Sequence, residues 1–342
     1  MTDKKECEIA YRFFGSDVEQ ACQKLGQEGL VRLLQDMIGI RQFELRAEAA
    51  YQRGHVGGFF HAYMGQEAVQ VGAVAAIGKK NNWWITTYRC HALALLLGVT
   101  FQEAMAELYG KATGNALGRG GSMHLYADRL LGGFGIVGGH VPIATGAAFS
   151  LKYQEQEGVA VCFLGDGAVA QGAVHESLNL AALWDLPCIY VIENNRWGMG
   201  TAVQRAIAAQ PIAEHLAGSY ALKAYTFDGM DVLACYHGFC HLADEVKKSG
   251  RPVLVEAITE RFRGHSISDP GLYRTKQELE EVKKSDPIES FKKFLLKQSV
   301  LTAQEIESME DKTKEKVMEA LAFAEASPDP DESALEDDVF AP

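Results

Sequence analysis

Val159-Ala160-Val161-Cys162-Phe163-Leu164 runs straight into Gly165-Asp166-Gly167, and Cys188-Ile189-Tyr190-Val191-Ile192 runs on to Asn194-Asn195. Each apolar run is short and uninterrupted, the pattern of a strand buried on both faces of a parallel sheet. Between the two motifs lie 26 residues, 168 to 193, which read as turn, helix, tight turn and strand. Parallel strands joined by one right-handed crossover end on the same side of their sheet. Asp166 and Asn195 are therefore expected at one sheet edge, in the crevice where open α/β sheets bind ligands.

Further alternation supports the same class. Residues 171 to 184 and 231 to 248 read as helices, and 220 to 227 and 252 to 258 as two more strands. Strand–helix alternation of this kind predicts an α/β fold with a parallel sheet flanked by helices. Upstream, Leu30, Leu33, Leu34, Met37, Ile38 and Phe43 recur near helical spacing, which predicts a long helix over 30 to 52. Residues 65 to 78 predict a second helix, small and apolar enough to pack closely. Residues 110 to 142 are dense in glycine and predict a long loop that lets backbone approach a ligand. Residues 303 to 326 carry a loose stripe (Ile306, Met309, Val317, Leu321) and predict a helical C-terminal extension. The expected organisation is a lead-in over 1–28, irregular or partly helical, one domain over 29–326, and an extended acidic tail over 327–342.

Composition limits the function classes. A net charge of -12 argues against nucleic acid as a partner. Seven scattered cysteines, odd in number and without a Cys-x-x-Cys pair, point to reduced thiols rather than a disulfide frame or zinc site. No uncharged apolar run reaches the ~18 residues of a membrane span. The mixed charge of Asp3, Lys4, Lys5 and Glu6 fits neither a secretory signal nor a transit peptide. A cytoplasmic protein is expected, and a mature organellar one would read the same way.

Asp166 and Asn195 define a chemistry. Mg²⁺ takes oxygen ligands and often shares them with phosphates. A carboxylate, an amide oxygen and two diphosphate oxygens suit that preference. Glycines at 165 and 167 allow a tight turn, and the amides of Gly167 and Ala168 are placed to face phosphate near a helix start. Gly-Asp-Gly alone is a common turn and Asn-Asn a common loop. Their positions after two buried strands, one crossover apart, are what favour a site.

The wider sequence resembles the α subunit of the thiamine diphosphate-dependent first component of the 2-oxo-acid dehydrogenase complexes. Ordered motifs carry the resemblance over roughly residues 30 to 330. They are His61 with Gly65-Gln66-Glu67-Ala68, Tyr88-Arg89, Gly120-Gly121-Ser122-Met123-His124, Gly135-Ile136-Val137-Gly138, Gly165-Asp166-Gly167-Ala168, Asn194-Asn195, and Arg263-Gly264-His265-Ser266-Ile267-Ser268-Asp269-Pro270. The resemblance implies that Asp166, the Asn195 side chain and the Trp197 carbonyl bind Mg²⁺. Many relatives carry tyrosine in place of Trp197, a change a carbonyl ligand tolerates. It implies that Arg89, with Tyr88 beside it, binds the diphosphate along with the Gly167 and Ala168 amides. Gly135 and Val137 would meet the aminopyrimidine through their backbones. His61 and His265 are the candidate catalytic histidines, with His265 also near the diphosphate. His55, His91, His124 and His140 lack equal support.

The resemblance further implies an α₂β₂ assembly with pyruvate dehydrogenase β subunits, because the glutamate that activates the aminopyrimidine comes from β. The acyl group would pass to the lipoyl group of a dihydrolipoyl acyltransferase. The run from Gly264 to Pro270 tilts the expected 2-oxo acid to pyruvate, over acetoin or branched-chain substrates. A scaffold subunit without catalysis is the alternative from another class; the joint presence of the site residues argues against it. The loop from about 261 to 275 is expected to order over the cofactor and to line the lipoyl entry. Ser266 matches a serine phosphorylated in some relatives, whereas Ala202 stands where others carry a second such serine.

Overall fold

The computed structural model describes residues 12–14, 17–337 and 339. In chain order its strands are β1 (Arg12–Phe14), β2 (Trp83–Thr87), β3 (Leu130–Phe134), β4 (Ala160–Gly165), β5 (Cys188–Asn194), β6 (Trp197–Gly198), β7 (Thr201–Ala202), β8 (Lys223–Asp228) and β9 (Val253–Ile258). The helices are α1 (Val18–Gln52), α2 (Glu67–Ile77), α3 (His91–Leu97), α4 (Phe101–Leu108), α5 (Val141–Tyr153), α6 (Gly172–Leu183), α7 (Val203–Ala206), α8 (Ile212–Ser219), α9 (Val232–Ser249), α10 (Lys276–Lys283), α11 (Pro287–Lys297) and α12 (Ala303–Ala326).

Seven strands form one sheet in the order β1-β8-β9-β5-β4-β2-β3, and every pairing in it is parallel. The expected α/β architecture is present. At its centre Phe163 pairs with Val191, and Val191 with Val255. Alternate residues of each strand feed opposite cores. Val161, Phe163, Ile189, Val191, Val253 and Val255 join the layer built with α1, α2, α9 and α12. Cys162, Leu164, Tyr190, Ile192 and Leu254 join the layer with α5, α6 and α8. That two-sided burial is why the strands read as uninterrupted apolar runs.

Helix α2 packs against α9 so closely that a Cβ on Gly72 would lie 2.6 Å from Cys235 Cβ. Several elements differ from the sequence reading, among them the lead-in, whose Arg12–Phe14 is a strand of the sheet. The expected helix over 30 to 52 begins at Val18 and passes a break at Gly26, where φ is 62°. Trp83–Thr87 and part of the glycine-dense stretch, Leu130–Phe134, are strands. The segment after α12 folds back rather than extending away. Thr113 Oγ1 donates to Ser327 Oγ (2.7 Å), the Ala112 N–H to the Pro328 carbonyl (3.0 Å), and Lys111 Nζ pairs with Asp329 (2.7 Å). Among the described residues no helix is long and apolar enough to cross a membrane.

Candidate functional site

Strands β2, β3, β4 and β5 deliver their C-terminal ends to one cavity of about 840 Å³. All eleven residues singled out from the sequence line it: His61, Tyr88, Arg89, Gly135, Val137, Asp166, Gly167, Ala168, Asn195, Trp197 and His265.

Asp166 opens a short 3₁₀ turn directly after β4 and is 2% exposed. Burial drives its carboxyl up to about 6, against the opposing pull of backbone N–H groups, including that of Asn195, and of the Arg261 guanidinium. Asn195 follows β5 and is also buried. Its Oδ1 accepts from the Trp197 N–H at 3.3 Å and from Arg261 Nη1 at 3.4 Å. The Trp197 carbonyl accepts from the same Nη1 at 3.2 Å. Two of the three expected metal-binding oxygens thus converge on one cationic atom. Among the described residues no three His, Cys, Asp or Glu side chains cluster to hold a metal unaided. One carboxylate, one amide oxygen and one carbonyl, all hard donors, fit a cation that also takes ligands from a bound phosphate.

Arg89 sits in the turn between β2 and α3, 5% exposed. Its Nη1 donates to the Ala62 carbonyl at 2.8 Å and its Nη2 to the His265 carbonyl at 2.5 Å. Burial and the nearby charge of Arg261 lower it to about 10, which leaves it cationic at neutral pH. Two buried guanidiniums in one cavity call for an anion.

The two histidines meet edge to face, with ring centroids 4.9 Å apart. His61 Nδ1 lies 2.8 Å from the His265 carbonyl. A carbonyl can only accept, so Nδ1 carries the proton and Nε2 is left as a free acceptor. Burial, then the Arg89 charge, holds His61 down at about 4 and His265 at about 3. Both rings are neutral near pH 7. The Tyr88 hydroxyl lies 3.4 Å from His265 Nε2, and its ring packs 4.5 Å from His61.

The other histidines divide. His91 is fully buried between Glu44 and the Ser122 carbonyl, and His140 bonds the Phe163 carbonyl. His124 bonds the Gly120 carbonyl and does line the cavity. The 261–275 loop has its own frame: Asp269 Oδ2 accepts from the His265 N–H and the Tyr273 hydroxyl, both at 2.6 Å. Arg274 clamps the carbonyls of Arg261 and Arg263.

Sequence reasoning gave no role to Gln66 or Glu193 and placed Arg261 only in a loop. Gln66 reaches Asn195 at 3.0 Å. Glu193, fully buried, is bonded by the Tyr63 hydroxyl and by Gln70. Its burial raises it to about 7. The signal for Gln66 was its place beside His61 in an ordered motif; nothing local marked Glu193.

Residues 35–333 match the family model described as dehydrogenase E1 component. The chain is 41% identical over 326 residues to the pyruvate dehydrogenase E1 component subunit alpha of Rickettsia felis, covering 95% of this chain and 99% of that protein. It is 39% identical to the protein of the same name from Rhizobium meliloti, covering 93% and 91%. To the mitochondrial one of Kluyveromyces lactis it is 38% identical, covering 98% and 81%. With motifs, fold and cavity in agreement, the chain belongs to the dehydrogenase E1 component family.

Proposed function

We propose that this chain is the α subunit of a thiamine diphosphate-dependent pyruvate dehydrogenase, acting in the oxidative decarboxylation of pyruvate with transfer of the acetyl group to a lipoyl group. The carrying observation is the nearly end-to-end likeness to relatives that share one name. The cavity supports it with an anion-seeking pair, Arg89 and Arg261, set against one buried carboxylate, Asp166.

When bound, thiamine diphosphate would supply the nucleophilic carbon and the electron sink for loss of CO₂. The residues here bind and orient it. Asp166, the Asn195 amide oxygen and the Trp197 carbonyl would hold Mg²⁺. Arg89 provides a planar, permanently charged fork for the diphosphate, with the Gly167 and Ala168 amides beside it. Gly135 and Val137 offer backbone at the end of β3 to the aminopyrimidine. His61 Nε2, neutral and unprotonated, takes or returns a proton at a substrate oxygen; His265 holds the ring of Tyr88 and the Arg89 fork in register with it. The activating glutamate belongs to a β partner in an α₂β₂ assembly. A lipoyl-bearing dihydrolipoyl acyltransferase accepts the product.

The test is turnover by the chain co-expressed with its β partner, with thiamine diphosphate, Mg²⁺ and an artificial electron acceptor. Pyruvate should exceed acetoin and branched-chain 2-oxo acids in kcat/KM. A preference for either alternative would replace the substrate and leave the cofactor site standing. An assembled, cofactor-loaded complex that turns over none of them would make the chain a scaffold.

A further inference from the structure

Gln66 caps the start of α2 and is 1% exposed, yet it lines the cavity. Its backbone is fixed on both sides. Its N–H donates to the Tyr63 carbonyl and its carbonyl accepts from Val69, each at 3.1 Å. Gly65 before it has φ +101° and lies so near the Glu260 carbonyl that a Cβ would stand 2.3 Å from that oxygen. Glu67 after it accepts from the Gly65 N–H at 2.9 Å and is clamped by Arg41 at 2.5 Å.

Donor inventories decide which way both amides point. The Trp197 N–H and the Arg261 guanidinium can only donate, and both address the same end of the Asn195 amide. That end is therefore the oxygen. The other end, Nδ2, donates to Gln66 at 3.0 Å, so the Gln66 atom there is its oxygen, Oε1. This leaves Gln66 Nε2, a buried donor with no protein partner among the described residues. A buried, unpaired amide N–H keeps the cost of its lost hydration. An acceptor-rich ligand in the cavity would remove that cost.

Resting on the cofactor reading above, we propose that Gln66 is a positioning residue of the cation–diphosphate site: its oxygen holds the Asn195 amide with Oδ1 toward the cation, and its free N–H donates to an oxygen of the bound diphosphate. An asparagine amide has two ends of nearly equal shape. Without an acceptor behind Nδ2, only the long contacts from the Trp197 N–H (3.3 Å) and Arg261 (3.4 Å) hold the oxygen end in place, and the buried Nδ2 is left unpaired. Glu193, the other cavity carboxylate, is already taken by Tyr63 and Gln70 and does not perform this task.

The experiment measures binding without substrate, by calorimetry on the chain assembled with its β partner. Mg²⁺ is titrated at saturating thiamine diphosphate, and thiamine diphosphate at saturating Mg²⁺. Gln66→Met removes the acceptor and should weaken Mg²⁺ about 10–100-fold, the usual scale for a group that orients a metal ligand. It removes the N–H as well, so thiamine diphosphate should also bind more weakly. Gln66→Glu keeps an oxygen for Asn195 Nδ2 but lacks the N–H. It should bind Mg²⁺ within about threefold of wild type while thiamine diphosphate binds more weakly. Unchanged Mg²⁺ affinity in Gln66→Met, or equal Mg²⁺ loss in both variants, overturns the proposal. If Gln66→Met does not assemble, Gln66→Glu decides alone: Mg²⁺ retained with cofactor weakened supports it, and Mg²⁺ lost overturns it. A wild-type complex that binds neither ligand overturns the cofactor reading and this inference with it. Failure of the variants alone falls on Gln66 only.

Discussion

Asp166 carries opposite costs in the empty and the loaded site, and pH separates them. Its carboxyl is raised from 3.8 to about 6, chiefly by burial. The folded state therefore holds this proton more tightly than the unfolded chain does. The cost of burying the carboxylate is absent below about 3.8, grows as pH rises, and is complete above about 6. Asp166→Asn removes it. The cofactor-free variant should be more stable than wild type at pH 7–8, by of order 1–3 kcal/mol. That gap should close as pH falls from 6 toward 4. With thiamine diphosphate and Mg²⁺ the order should reverse, and activity should fall by more than about 100-fold if Asp166 is the metal ligand proposed above. Calorimetry across pH, with and without cofactor, reads both signs; a stability gap that ignores pH would contradict this account. Asp166 and Asn195 could be found in the sequence because each follows an uninterrupted apolar run, so strand position and chemical type coincide. Gln66 and Arg261 could not, since their roles depend on which end of an amide faces which donor, and this is decided only by the folded neighbourhood.

Elements were legible where burial is two-sided and hidden where other residues supply the pairing. β4 and β5 appear as apolar segments because both faces meet helices, whereas β8 and β9 carry polar residues such as Thr226 and Glu256 within their apolar stretches. β2 is short, and its Trp83-Trp84-Ile85-Thr86-Thr87 carries strand-forming types that the reading passed over; β3 contains Gly132-Gly133 and lacks an apolar signature, and its strand state is set by pairing with β2. The glycine-dense loop is ordered by one buried side chain at the end of α4. Glu107 accepts from the N–H groups of Ala116 (2.7 Å), Gly118 (2.9 Å) and Gly120 (2.6 Å). Glu107→Ala leaves three partly buried donors unpaired and should cost roughly 3–5 kcal/mol in urea unfolding. Because Gly120 to His124 form a cavity wall, cofactor affinity should fall with it; a stability loss below about 1 kcal/mol would show that the loop orders itself. A second element test addresses α2 against α9. A Cβ at Gly72 meets Cys235 Cβ at 2.6 Å and the Tyr236 nitrogen at 2.9 Å. Gly72→Ala should destabilise by about 1–3 kcal/mol through overpacking. The activity of the folded fraction should be unchanged, because this contact lies away from the cavity lining.

At the scale of the molecule, the α₂β₂ reading proposed above makes the cavity half of a reaction centre. Its carboxylates are Asp166, assigned to the cation, and Glu193, buried and already bonded by Tyr63. Neither is free to exchange a proton with an aminopyrimidine nitrogen. The cavity wall also exposes apolar side chains that a lone subunit has no reason to leave in water: Ile136 is 77% exposed and Met199 65%. Both facts fit the proposal that a second polypeptide supplies a carboxylate and a wall. The expected outcome is a sharp split between binding and turnover. The chain purified alone should bind thiamine diphosphate with Mg²⁺ through Asp166, Asn195 and Arg89 but decarboxylate no pyruvate. Adding the β partner should restore turnover, and the cofactor should then bind more tightly, because closing the wall excludes water from the bound diphosphate and strengthens the hold of the two guanidiniums on it. Calorimetry for binding and an artificial electron acceptor for turnover, run on the same samples, separate the two. Decarboxylation by the chain alone would mean that Glu193 exchanges Tyr63 for the cofactor, and the division of labour between the subunits would have to be redrawn.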